Sequence, residues 1–105
     1  MIFLSDEDEL SVDDKLSILY FYTSWIPYNK KMITILNNSS QKHSDIKFIA
    51  IDADKFSSLC IRFNITSVPN IIFLSNALEV KRIEGVVMSS AFKATLLNVI
   101  DSINK

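Results

Sequence analysis

Two short stretches hold the residues whose types and spacing bear on chemistry. The first is Ser24-Trp25-Ile26-Pro27-Tyr28-Asn29-Lys30-Lys31-Met32. The second is Ser67-Val68-Pro69-Asn70, followed by the apolar run Ile71-Ile72-Phe73-Leu74. Neither stretch offers a nucleophile with a base beside it. What they offer is contact: Trp25 and Tyr28 each join an apolar body to a polar tip, a combination enriched at binding surfaces. The chain's single cysteine, Cys60, stands outside both stretches. On the inward face of a helix it reads as a small buried hydrophobe, with a redox-sensing thiol as the alternative. The single histidine, His43, lies in a polar loop with no Cys, Asp or Glu clustered at ligand spacing, so no metal is expected there. No motif pairs His43 with a serine nucleophile. One glycine in the whole chain excludes a Gly-rich phosphate loop, and no cofactor is expected.

The elements that must position these residues are set by size and pattern. At 105 residues the chain reads as one domain, 1–105, long enough to bury a core without disulfide or metal. Apolar residues make up 49% of it, which argues against disorder. The net charge is −1 and no run of Lys or Arg goes beyond a pair, so a nucleic-acid surface is not expected. Lys30-Lys31 reads as a solvated helix start or a contact for an acidic partner. Asp6-Glu7-Asp8-Glu9 reads as a solvated first helical turn, where negative charge suits the helix macrodipole. A lone cysteine fits a reducing compartment, and a cytoplasmic location is expected. No stretch approaches the roughly 20 apolar residues of a membrane helix, and Met1 to Asp6 lacks the basic start of a signal peptide. The glycosylation sequons at Asn37-Asn38-Ser39-Ser40 and Asn64-Ile65-Thr66 read as chance matches.

Ile2 to Leu4 reads as an edge strand. Ser5, with Asp8 three positions on, predicts a short helix running to Val12. Ser17 to Thr23 is β-branched and aromatic with almost no polar alternation, the pattern of a central strand buried on both faces. Pro27 suits a first helical turn, and Tyr28, Met32, Ile35 and Leu36 share one face of the helix it opens. That helix is expected to end within Asn37-Asn38-Ser39-Ser40. A strand follows over Ile46 to Asp52. Next comes a helix capped by Asp54, covering Lys55 to Phe63, with Phe56, Leu59, Cys60 and Phe63 inward. Asn64 tolerates the positive φ of a helix terminator. Ile71 to Leu74 and Leu78 to Ile83 form a hairpin around Ser75-Asn76-Ala77. After Gly85, Ser89 or Ser90 caps a last helix with Phe92, Leu96, Val99, Ile100 and Ile103 on one face. The order β-α-β-α-β-α-β-β-α predicts an α/β fold, a mixed central sheet with helices on both faces.

With these local sequences in this order, the chain resembles the thioredoxin family over essentially its whole length. The resemblance rests on Ile18-Leu19-Tyr20-Phe21-Tyr22 running into Thr23-Ser24-Trp25, and on Ile51-Asp52-Ala53-Asp54. It rests further on Phe63-Asn64-Ile65-Thr66-Ser67-Val68-Pro69, on the strand Ile71 to Leu74 behind that proline, and on Gly85. It implies the thioredoxin fold and a cis peptide before Pro69, with the backbone of Val68 turned toward the start of the helix after Trp25.

The departures bear on function. Where the family has Cys-Gly-Pro-Cys, this chain has Ile26-Pro27-Tyr28-Asn29. The family's buried carboxylate falls at Tyr20, and a nearby lysine at Ala50. The resemblance therefore implies a redox-inactive domain with no catalytic residues. Such a domain is similar to the non-catalytic domains of protein disulfide isomerases. It would bind a protein or peptide through Trp25, Ile26, Pro27, Tyr28, Val68, Pro69 and Gly85, as a monomer or weak homodimer. Trp25 is either part of that groove or a packing residue. Two alternatives stand beside this reading. One is a thiol-disulfide oxidoreductase of thioredoxin type working through Cys60; the other is a purely structural scaffold.

Overall fold

The computed structural model describes residues 1–105. Its strands are β1 (Ile2–Phe3), β2 (Ser17–Tyr22), β3 (Lys47–Asp52), β4 (Asn70–Ser75) and β5 (Leu78–Glu84). Its helices are α1 (Asn29–Lys42), α2 (Ser57–Arg62) and α3 (Ser89–Ile103), with a 3-10 turn at Glu7–Glu9. The strands form one sheet in the order β1-β3-β2-β4-β5. β2 runs parallel to β3 and antiparallel to β4, and β4 and β5 form the antiparallel hairpin.

β2 is the strand with no free face. Ser17 to Phe21 are all buried, because alternate side chains enter opposite layers. Ile18 and Tyr20, with Phe48, Ala50, Ile71 and Phe73, pack under Met32, Ile35 and Leu36 of α1 and Phe92, Leu96 and Val99 of α3. Leu19 and Phe21, with Ile49, Ile51, Ile72 and Leu74, pack on the other face against Leu59 of α2 and against Leu4 and Val12. The two layers account for the apolar run of β2 and for the inward positions expected on α1 and α3.

Several boundaries differ from the sequence reading. The helix expected from Ser5 is only the 3-10 turn, capped by Asp6, whose carboxylate accepts from the Asp8 amide. Leu4 and Val12 are both buried and anchor the segment at its ends, while the acidic residues between have no apolar face to pack. α1 starts at Asn29, two residues beyond Pro27, and Tyr28 adopts a left-handed conformation with φ 66°. Tyr28 is therefore off the buried stripe that Met32, Ile35 and Leu36 occupy. At its other end α1 runs through the polar residues to Lys42. Ser39 continues the buried stripe, and the amino group of Met1 donates to Asn37 Oδ1 and Ser40 Oγ. Tertiary partners thus hold a segment whose own propensities favour stopping. α2 starts at Ser57 with no side-chain cap, and α3 starts at Ser89 with Met88 in the cap position, so neither Asp54 nor a serine caps these helices. Ile2 and Phe3 of β1 are exposed, and the strand is shorter than expected.

The β4–β5 turn places Asn76 at φ 49° and Ala77 at φ 71°, the paired positive angles of a two-residue hairpin. Asn tolerates that region, whereas an alanine there carries a Cβ clash that glycine lacks. Ala77→Gly is expected to raise stability by about 0.5–1 kcal/mol, read as a higher urea midpoint with an unchanged m-value.

Candidate functional site

The two marked stretches meet at the ends of β2 and β4. In the antiparallel register Phe21 lies opposite Asn70, so the chain leaving β2 toward Trp25 runs beside the chain entering β4 from Val68-Pro69. The Val68–Pro69 peptide is cis. Pro69 itself is buried, and its carbonyl accepts a hydrogen bond from the Gly85 amide at 2.9 Å. Gly85 has φ 92°, and a Cβ built there would meet nothing within 4 Å. Backbone conformation, not space, makes glycine the suitable residue at the point where β5 leaves the sheet.

Of the residues expected to form the surface, Trp25 is 72% exposed and Tyr28 63% exposed, and Pro27 is exposed as well. Trp25 is thus not a packing residue; its indole Nε1 donates to Asp54 Oδ2 at 3.3 Å, which ties it to the loop between β3 and α2. Asp54, expected as a helix cap, serves the indole, and its own amide donates to Asp52 Oδ1. Val68 and Gly85 are half-buried. Ile26 departs from expectation. At 8% exposure it gives almost no contact area, because the turn in which its amide bonds Thr23 O and its carbonyl accepts from Asn29 folds it inward. Val86 and Met88 are exposed just after Gly85. The sequence reading passed over them, although the apolar run Val86-Val87-Met88 between a strand and a helix was a visible signal.

Asn29 and Tyr20 form the polar part of the site. Tyr20, 1% exposed, donates its hydroxyl proton to Asn29 Oδ1 at 2.8 Å and stacks on Tyr22 with ring centroids 5.5 Å apart. Burial, and then the neighbouring Tyr22, pushes the Tyr20 phenol above its ordinary range. It stays neutral and cannot take up a proton as a carboxylate would. Thr23 Oγ1 and both side-chain polar atoms of Asn70 are buried with no partner in the chain. The first turn of α1 contains no acidic residue and no side-chain cap, and Lys30 and Lys31 are exposed on it.

Cys60 lies on α2, half-buried against the layer of Phe21 and Ile51, with its thiol 3.8 Å from Ala53 O. Burial, and then the charge of Asp54, pushes its pKa up, which opposes the thiolate form needed for exchange. His43 ends α1. No three His, Cys, Asp or Glu side chains converge at metal-binding spacing, and no helix is long and apolar enough to cross a membrane.

The largest cleft, about 620 Å³, lies elsewhere, between the end of α2 and β5. Arg82 crosses it. Its guanidinium donates to both Glu79 oxygens at 3.0 and 2.7 Å, to Asn64 O at 3.0 Å and to Phe63 O at 2.6 Å. The last two acceptors are carbonyls at the C-terminal end of α2, where Asn64 takes the expected positive φ, 55°. Arg82 therefore satisfies groups the helix leaves unbonded and holds the segment that leads to Val68-Pro69.

A model of the thioredoxin family, described as Thioredoxin, matches residues 5–98. The TPR repeat-containing thioredoxin of Oryza sativa subsp. japonica is 28% identical over 71 residues, which is 68% of this chain and 22% of that protein. The corresponding protein of Arabidopsis thaliana is 32% identical over 68% of this chain and 19% of its own length. The chain thus spans about a fifth of these two relatives. Thioredoxin-2 of Saccharomyces cerevisiae is 26% identical over 93 residues, 89% of each chain. The solution structure of oxidised thioredoxin from Plasmodium falciparum superposes with a TM-score of 0.82 at 23% identity, over 93% of this chain and 96% of that one. At that identity the likeness is one of fold.

Two measurements test the geometry. Arg82→Gln removes the link to Glu79 and to two helix-end carbonyls, with an expected loss of about 1–2 kcal/mol and faster amide exchange over residues 63–69. The hydrogen bond from Arg82 holds the Glu79 carboxyl below its ordinary value of 4.5. Because the folded pKa is depressed, the Glu79 share of the wild-type advantage is complete above that value and is lost as pH falls through the lower, folded pKa, while the share from the Asn64 and Phe63 carbonyls remains. For Cys60 the raised pKa predicts slow modification by a disulfide reagent at pH 7. The rate should climb with pH and still be rising at pH 9, the ordinary value; a fast, pH-independent reaction would contradict the placement of the thiol.

Proposed function

The chain belongs to the thioredoxin family, and from that premise we propose that it is a redox-inactive member that binds an extended peptide of a partner protein. The contact surface is Trp25, Pro27, Tyr28, Val68 and Gly85, extended by Val86 and Met88; Pro69, which is buried, belongs to the frame beneath it. The observation that supports this most directly is the pairing of a retained frame with absent chemistry. The frame is the cis Val68–Pro69 bond and the Gly85 amide on Pro69 O. At the family's two cysteine positions stand Ile26, which is buried, and Asn29, which is bonded to Tyr20. An extended segment can pair with exposed backbone at Val68 in the manner of an added strand, while Trp25 and Tyr28 supply apolar contact at low entropic cost. Cys60 lies off this surface in a setting that disfavours the thiolate. The single cysteine suits a reducing compartment such as the cytoplasm, and the binding unit is a monomer or weak homodimer.

Selection of a random peptide display library on the purified chain tests the reading. Peptides recovered on wild type are expected to bind at least about tenfold more weakly to Trp25→Ala and to Val68→Asp, with far-UV circular dichroism unchanged. Insulin reduction in the presence of dithiothreitol should stay at the level of reagent alone. Failure to select any peptide, equal binding to both variants, or turnover abolished by Cys60→Ser would each overturn the proposal.

A further inference from the structure

We propose that Asn29 is a specificity-determining residue of this surface: its side-chain amide, held in one orientation by Tyr20, presents Nδ2 as a hydrogen-bond donor to a main-chain carbonyl of the bound peptide. The inference rests on the peptide-binding reading above and gives that site an amide donor of fixed orientation.

The argument begins with Tyr20. Its hydroxyl is buried in the sheet, and a buried O–H must find an acceptor. The phenol is neutral, so the proton is there to donate, and Asn29 Oδ1 at 2.8 Å receives it. An asparagine side chain has one acceptor oxygen and one donor nitrogen. The reversed orientation would turn Nδ2 toward Tyr20 and leave the buried phenol proton without an acceptor. The oxygen is therefore the inward atom, and the nitrogen is directed away from it.

That nitrogen makes no bond within the chain. Asn29 is half-exposed and follows Tyr28, one of the most exposed aromatic residues. Tyr20 sits opposite Ile71, two residues beyond Pro69 in the next strand, and both side chains enter the layer beneath α1, so the amide that Tyr20 holds sits at the end of β2 and β4 where the two loops of the surface begin. An oriented donor discriminates in a way an apolar patch does not. A ligand with an acceptor at this point gains a bond, and one without it leaves Nδ2 desolvated and unpaired. Tyr20 never touches the ligand in this arrangement; it is a positioning residue.

Asn29→Asp separates this role from a structural one. The carboxylate still accepts from Tyr20, and a negative charge in the first turn favours the helix, but the outward donor becomes an acceptor. With a peptide selected on the wild-type chain as probe, Asn29→Asp is expected to bind at least about tenfold more weakly, with no fall in thermal midpoint. Tyr20→Phe, which leaves the surface groups intact, is expected to weaken binding about threefold. On the wild-type protein, titration with the same peptide should move the Asn29 side-chain 15N–1H2 resonances, a readout that needs no variant to fold. Wild-type affinity in Asn29→Asp, or stationary Asn29 resonances at saturation, overturns the inference. If Trp25→Ala loses the peptide while Asn29→Asp keeps it, this inference fails and the binding surface stands. If both keep it, the surface fails as well.

Discussion

Burial of β2 on both faces is the constraint from which the site follows. A strand with no solvent face must carry apolar side chains in both directions and must have a hydrogen-bonded neighbour on each side. β3 supplies one edge in parallel and β4 the other in antiparallel register. The antiparallel partner must enter the sheet beside the point where β2 leaves it. The turn at Val68-Pro69 and the loop at Trp25 are therefore adjacent because of a pairing made several residues away in the core. Gly85, at the far end of the hairpin, closes the same region through its bond to Pro69 O.

Among the buried polar groups, the Tyr20 hydroxyl is the one bonded to the start of α1. Tyr20 occupies a position lined by Ile71, Phe73 and the inner face of α1, where a carboxylate would bear a large desolvation cost. A phenol remains neutral there and needs only one acceptor. Asn29 meets that need from the first residue of α1, so the strand and the helix are joined by a hydrogen bond. Redox chemistry at this place would need a thiol whose proton is readily lost. Ile26 has none, Asn29 has none, and Cys60 is on another helix in an environment that favours the protonated form.

Stability is not maximised around the site. Thr23 Oγ1 and the Asn70 amide have no partner in the chain although they are buried, and each such group costs on the order of 1–3 kcal/mol. Both residues flank the loops that form the surface. Tyr28 and Ala77 hold positive φ without being glycine. Against these costs stand two tightly filled layers and the Arg82 link, which secures the segment before Pro69 from the opposite side.

Much of the fold was legible in residue types. The continuous apolar run of β2, the helical spacing of Met32, Ile35 and Leu36 and of Phe92, Leu96 and Val99, and the turn residues around Asn76 act through local periodicity, which a linear chain displays directly. That Cys60 is the chain's single thiol was legible too, since a residue type is read directly from the sequence. Partnership at a distance lay beyond reach. Asn37 to Ser40 stay helical because Met1 and the buried stripe hold them, and Ile26 turns inward because of a local loop conformation. Asp54 serves Trp25 instead of a helix, and Asn29 gains its orientation from a tyrosine in the central strand. Each of these outcomes depends on a group from another element arriving within hydrogen-bond or packing distance. Residue order along the chain encodes what each segment tends to do alone; only closure of the sheet decides which tendency prevails.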